Sequence, residues 1–174
     1  MSADFSLSLK GLRRTQGAIR EFSFQAGFPE SLESGLVTLP RDKDVLVEGT
    51  LESVGDGVLV TAIAYAEPDA QCSRCLTQFT LPVEADVQEL FVYPEHGQEY
   101  EEEDVSLIHD DMIDLTQAVH DAIILDLPLI PLCREDCPGL CPTCGADLNT
   151  DPDHSHGDVI DSRWLSLAEW GKIT

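Results

Sequence analysis

Between Val45 and Ala66 apolar and polar residues alternate in two runs, Val45-Leu46-Val47-Glu48-Gly49-Thr50-Leu51-Glu52-Ser53-Val54 and Val58-Leu59-Val60-Thr61-Ala62-Ile63-Ala64-Tyr65-Ala66. A period of two marks a half-buried strand, and Gly55-Asp56-Gly57 between the runs supplies the positive φ that a tight turn needs. The spacing predicts an antiparallel hairpin whose inner face carries Val45, Val47, Leu51, Val58, Val60, Ala62 and Ala64, with a break at Gly49. A third long strand is expected within Thr80–Tyr93, where Leu81, Val83, Ala85 and Val87 alternate. An earlier strand over 18–26 uses Ile19, Phe22 and Phe24 and requires an irregularity between the first two. Leu32 to Pro40 reads as a short helical turn or an irregular loop.

After Asp114 the period becomes helical. Leu115, Ala118, Val119, Ala122 and Ile123 fall three or four apart, in a stripe widened by Ile124, Leu125 and Leu127. Asp114 is the expected N-cap, Gln117 stands at capping-box spacing, and Pro128 ends the helix. His120 falls off the stripe, at an exposed or boundary position. Leu127–Leu132 is expected to run extended against the sheet, and Asp161 to cap a short helix bearing Trp164, Leu167 and Ala168. The result is an α+β fold, an antiparallel β-sheet of four or so strands with one main packed helix and a C-terminal cysteine-rich zinc knuckle. Its expected parts are a core domain over 1–132, the knuckle over 133–149, and a linker with a short helix over 150–174.

Charge changes the picture of what the fold can bind. The 174 residues include 33 acidic and 10 basic side chains, for a net charge of −23. A protein that grips nucleic acid by its phosphates needs a Lys/Arg surface, so backbone-driven RNA binding is disfavoured. Lys10, Arg13, Arg14 and Arg20 form the one basic cluster, suited at most to weak, local RNA contact. The acidic run of Glu99, Glu101, Glu102, Glu103, Asp104, Asp110 and Asp111 reads as a solvated loop or as an attractor for a basic protein. It lacks the nucleophile, histidine or glycine-rich loop that would make it catalytic. No apolar run reaches the ~20 residues of a membrane span, and no basic stretch followed by an apolar block marks a secretory signal. A cytoplasmic protein with reduced thiols is expected.

Candidate chemistry lies in six cysteines. Cys133, Cys137, Cys141 and Cys144 are close in sequence, and the last two form a C-x-x-C followed by Gly145. That turn aims two sulfurs and its own N–H groups at one centre, which is how structural zinc sites are built; a metal-free loop or a disulfide-stapled one are the alternatives. Cys72 and Cys75 form a second C-x-x-C at a strand-to-strand turn, readable as half a metal site, a redox pair or a plain turn. A redox pair normally opens a helix, and here a strand follows. His154 and His156 could supply ligands, but lie ten and twelve residues beyond Cys144, and the nearer thiols are preferred.

Cys72-Ser73-Arg74-Cys75-Leu76 with Phe79, the run from Ile124 to Cys133, the run from Glu135 to Asn149 and the tail Arg163-Trp164-Leu165-Ser166-Leu167 together resemble the YceD family of bacterial and plastid proteins. The resemblance covers most of the chain from about residue 45 onward. It implies a role in accumulation or processing of large-subunit (23S) ribosomal RNA. Some members keep the first C-x-x-C and lack most of the second cluster, which favours a self-contained metal set of Cys133, Cys137, Cys141 and Cys144. The alternative set is Cys72, Cys75, Cys141 and Cys144, which has the more familiar two-knuckle geometry. The expected function is a non-enzymatic ribosome-biogenesis factor with structural zinc, acting through a basic ribosomal protein or pre-ribosomal particle. A thiol oxidoreductase or a metal-dependent RNA-processing enzyme is the alternative.

Overall fold

The computed structural model describes residues 4–41, 43–97 and 106–156. Along the chain come Ser6–Ser8 (β1), Ile19–Ala26 (β2), Leu32–Ser34 (β3), Val37–Leu39 (β4), Val45–Ser53 (β5), Gly57–Ala66 (β6), Asp69–Gln71 (β7), Gln78–Thr80 (β8), Val83–Val92 (β9), Ser106–Leu107 (β10), Met112–Asp114 (β11) and the helix Thr116–Asp126 (α1). Five strands form the main sheet in the order β10-β9-β6-β5-β2. All its pairings are antiparallel except the two-residue contact of β10 with β9. Among the described residues the architecture is the expected α+β class.

The alternating pattern dictates the layers. Val47 pairs with Ala64 and Ala64 with Ala85, so one row of inward residues crosses three strands. The N-cap residue Leu115 and, from α1, Val119 and Ile123 cover that inner face, each fully buried. Burying each such side chain is worth about 1.5–3 kcal/mol. The break at Gly49 is a close approach: a Cβ there would stand 2.3 Å from the Thr61 carbonyl oxygen and 2.5 Å from Ala62 Cβ. Glycine lets β5 and β6 keep one register through this point.

Four local expectations are corrected. Residues 32–39 form a small hairpin, β3 with β4, turning at Gly35 with φ +58°, and Val37 and Leu39 are buried beneath it. β2 runs without an irregularity: Ile19 faces solvent, and Arg20 takes the inward place in line with Phe22 and Phe24. Asp114 lies one position before the N-cap residue Leu115 and accepts the Thr116 N–H at 2.9 Å, while Gln117 donates to the Asp121 carboxylate, so no capping box forms. Leu127 is buried in the core but Leu129 and Ile130 are exposed, so the 127–132 connector leaves the sheet after its first residue. The acidic positions Glu99 to Asp104 and the helix expected from Asp161 lie outside the described residues.

Arg20 has a structural task. Its guanidinium donates to the carbonyl oxygens of Ser8 and Lys10, tying the β1 segment to the edge of the main sheet. Arg20→Ala is expected to lower stability by about 1–2 kcal/mol, because two carbonyls lose a charged donor. Urea unfolding should show a lower midpoint with an unchanged slope.

The second sheet has the order β3-β4-β7-β8. Residues 72–77, which include the first C-x-x-C, are the turn between β7 and β8. The strands thus hold the knuckle at a fixed place on the sheet.

Candidate metal centres

The two C-x-x-C segments fold into the same turn. In the first, the Cys72 carbonyl accepts the Leu76 N–H at 2.9 Å and the Cys72 N–H donates to the Thr77 carbonyl at 2.9 Å. In the second, the Cys141 carbonyl accepts the Gly145 N–H and the Cys141 N–H donates to the Ala146 carbonyl, both at 2.8 Å. The residue after each second cysteine is left-handed, Leu76 with φ 61° and Gly145 with φ 76°. A leucine seldom adopts that conformation, and it persists only where the surrounding turn over-determines it.

Each turn gathers a different pair of partners. Cys72, Cys75, Cys133 and Cys137 have sulfurs all within 4.8 Å of one another, and so do the ligand atoms of Cys141, Cys144, His154 and His156. In the first group Cys72 Sγ lies 3.8 Å from Cys137 Sγ, and Cys75 Sγ 3.7 Å from Cys133 Sγ. Four sulfurs at about 2.3 Å from a zinc ion stand about 3.8 Å apart along the tetrahedron's edges. The separations match that figure and are far longer than a disulfide bond of roughly 2.05 Å. All six cysteines are free.

Neither four-thiol set expected from sequence is brought together as a set. Cys133 and Cys137 turn back to the first knuckle, and Cys141 and Cys144 turn away from them. The cause is the joint between the pairs. Leu140 N–H donates to the Arg74 carbonyl at 3.0 Å, Arg74 Nη1 donates to the Cys137 carbonyl at 2.9 Å, and Ser73 N–H donates to the Pro131 carbonyl at 2.9 Å. These bonds lay residues 131–140 along the first knuckle. Beyond them, Leu140 bridges Asp147 and Leu148 N–H donates to the Gly139 carbonyl, which closes a small loop around the second knuckle.

Electrostatics suit the first group to a cation. Burial works against ionisation of Cys72, but backbone N–H groups of Cys133, Cys75 and Arg74 outweigh it and bring the thiol down to about 6. Cys75 is lowered by the Thr77 hydroxyl, 3.3 Å from its sulfur, and by the Thr77 backbone. Much of Cys133's surface is open, yet its sulfur faces the other three, and its thiol is pushed up to about 12, first by desolvation and then by its thiol neighbours. A further thiolate is resisted there, and a divalent ion relieves that resistance. Asn149 Nδ2 donates to Cys137 Sγ at 3.6 Å while also held by Asp147, an outer partner of the kind that orients ligands. A redox role for Cys72 and Cys75 is poorly served: they are 0% and 7% exposed, and the chain continues into β8, not a helix.

The basic cluster is largely engaged. Arg14 pairs with Asp111 at 2.8 Å and lies 4.5 Å over the Tyr93 ring, and Arg20 is tied to β1. Lys10 and Arg13 are left as its exposed members without a described side-chain partner.

The sequence model of the family described as "Large ribosomal RNA subunit accumulation protein YceD" matches residues 60–169, a span that holds all eight candidate ligand residues. The chain belongs to the YceD family. The family is named for ribosomal RNA accumulation and not for a catalysed reaction. An uncharacterized protein of Mycobacterium tuberculosis is 36% identical over 97% of this chain and 82% of its own length. The uncharacterized protein YlbN of Bacillus subtilis is 32% identical over 80% of the chain and 84% of its length. A chloroplastic maize protein named as a YCED homolog of large ribosomal RNA subunit accumulation is 46% identical over 41 residues, 24% of this chain and 14% of its own. No solved structure matches. No helix among the described residues is long and apolar enough to cross a membrane.

His154 and His156 are the candidate ligands that sequence spacing undervalues. Six cysteines and the His154-x-His156 pair make eight potential donors, in number enough for two tetrahedral sites, and there are two knuckle turns. That arithmetic was the available signal.

Proposed function

We propose that this YceD-family chain supports large-subunit (23S) ribosomal RNA accumulation as a non-enzymatic factor that docks a basic ribosomal protein, free or on a pre-ribosomal particle. A structural zinc ion at Cys72, Cys75, Cys133 and Cys137 holds its cysteine segment on the sheet. The family membership supports the RNA side of this reading, and the outer face of the main sheet supports the partner.

That face is the one α1 leaves open. Across β2, β5, β6 and β9 its outward rows read Ser23–Glu48–Ile63–Asp86 and Gln25–Leu46–Tyr65–Glu84, flanked by rows carrying Glu21 and Glu52. Five carboxylates surround half-buried Leu46, Ile63 and Tyr65, and no lysine or arginine occupies an outward position on these strands. Apolar rows framed by carboxylates fit a cationic protein surface and repel phosphate.

The test is capture of basic large-subunit ribosomal proteins by the purified chain, beside naked 23S RNA. Salt-sensitive capture of protein is expected, and Glu48→Lys/Asp86→Lys should weaken it at least tenfold, with 23S RNA falling in cells carrying that variant. Unchanged capture by the charge-reversed chain, or tight binding of naked RNA by the native one, would sink the reading.

A further inference from the structure

We propose that Cys141, Cys144, His154 and His156 form a second, separate zinc centre, so that the folded chain carries two metal ions of different ligand class. The first is a four-thiolate site and the second a Cys2His2 site. The inference stands on ligand geometry and does not depend on the docking face.

Four donor atoms meet at one point. His156 Nε2 lies 3.3 Å from Cys141 Sγ and 3.2 Å from Cys144 Sγ, His154 Nε2 lies 3.1 Å from Cys144 Sγ, and the two Nε2 atoms are 2.9 Å apart. The rings meet edge to face, with centroids 4.6 Å apart, and each directs its Nε2 at the same place. Zinc–nitrogen bonds of about 2.0–2.1 Å set tetrahedral edges of about 3.3 Å between nitrogens and about 3.5 Å between nitrogen and sulfur, so this cluster is tighter than the all-sulfur one and an entering ion would open it by a few tenths of an ångström.

The surroundings favour a metal over a chance contact. The turn that presents Cys141 and Cys144 repeats the hydrogen bonds of the first knuckle. His154 Nδ1 lies 3.5 Å from the Asp151 carboxylate, which a small closure would turn into the outer hydrogen bond that orients a ligating imidazole. A metal-free alternative exists, since 2.9 Å between ring nitrogens is also a hydrogen-bond separation. That arrangement would turn a ring proton and a lone pair toward one another beside two thiols, and it uses neither sulfur as more than a weak acceptor.

The two centres should differ in how tightly they are held. Cys72, Cys75 and Cys137 are buried, whereas Cys144 and His156 are exposed and His154 is half-buried. The second ion is therefore the more accessible to a chelator.

Native mass spectrometry of the full chain, purified reduced and loaded with zinc, should show two zinc ions, and His154→Ala/His156→Ala should show one. Chelator should remove the second ion at least tenfold faster than the first. Cobalt in place of zinc gives an independent signature: the ion lost with the histidine pair should carry about half the thiolate charge-transfer intensity of the ion that stays. The His156→Cys chain should keep two ions where His156→Ala weakens the second, which a merely structural histidine would not explain. One zinc in the native chain, or two in the double-histidine variant, would overturn the proposal. Should the variant fail to fold, the native chain decides alone, because a lone four-sulfur site yields one cobalt spectrum at one equivalent.

Discussion

Removal of zinc from the proposed four-thiolate centre is expected to release the segments around 72–77 and 131–149 while the five-stranded sheet stays folded. The apolar core of sheet and helix contains none of the cysteines; Cys72, Cys75 and Cys137 form a separate small cluster with Phe79, Leu132 and Leu140 at its margin. Three or four apolar side chains cannot offset the chain entropy of ordering two loops, at roughly 1–2 kcal/mol per residue for the backbone alone. A structural zinc ion can, since its apparent binding free energy in small domains is about 10–16 kcal/mol. Without it the clustered sulfurs must take up protons or part. Amide hydrogen exchange with and without chelator is the measurement. The N–H groups of Leu76, Cys137 and Leu140, each bonded within the metal-bearing segments, should exchange faster by about a thousandfold or more, a loss of some 4 kcal/mol of local stability. Amides of β5, β6 and β9 should keep their protection. Cys137→Ser should reproduce the pattern without chelator. Uniform loss of protection would mean that the core depends on the metal, and no change would mean that the loops fold without it.

The difference between what the sequence discloses and what it hides follows from the range of each interaction. β5, β6 and β9 are long enough to repeat a period of two several times, so their faces and even the exception at Gly49 could be read directly. β3 and β4 span three residues each, too few for any period to show. Arg20 could not be assigned inward by pattern, because its long stem lies in the apolar row while its charge finds carbonyls on another segment. Leu129 and Ile130 failed in the other direction: being apolar, they were assigned to the sheet, and the hydrogen bond of Pro131 with Ser73 directs that stretch to the knuckle instead.

The proposed metal ligands divide the same way. Each knuckle is a local object, recognisable from two cysteines and the residue after them. Which further ligands complete it is a question of tertiary structure: 65 residues separate Cys72 from Cys137, and the joint at Arg74 that unites them leaves no periodic trace. Proximity in sequence suggested that Cys133 to Cys144 share one ion, and a single turn between Cys137 and Cys141 sends the two halves apart.

Gly139 is that turn, and Gly139→Ala is expected to be the most damaging single methyl added to the cysteine segment. Its φ is +81°, and a Cβ would stand 2.9 Å from the Arg74 carbonyl oxygen and 3.1 Å from Arg74 Cβ. The conformational part costs about 1–2 kcal/mol. The steric part cannot be relieved by a side-chain rotation, because the same Arg74 carbonyl accepts the Leu140 N–H that lays 131–140 along the first knuckle. Backing away breaks that bond, worth roughly another 1 kcal/mol. Together, about 2–3 kcal/mol should be lost from the arrangement that brings Cys133 and Cys137 to Cys72 and Cys75, and the first zinc should leave about 30- to 150-fold faster in a chelator competition. Gly145→Ala is the matching control. Its φ is +76°, but nothing lies within 4 Å of the added carbon, so it carries the conformational cost without the collision and does so at the second knuckle. Gly145→Ala should speed loss of the second ion by about tenfold and leave the first unchanged. If both substitutions loosened the same ion, the chain would hold one shared centre and the division at Gly139 would have no role in metal binding. If Gly139→Ala matched its control in size, the contact with Arg74 would not be what holds the two pairs of thiols apart.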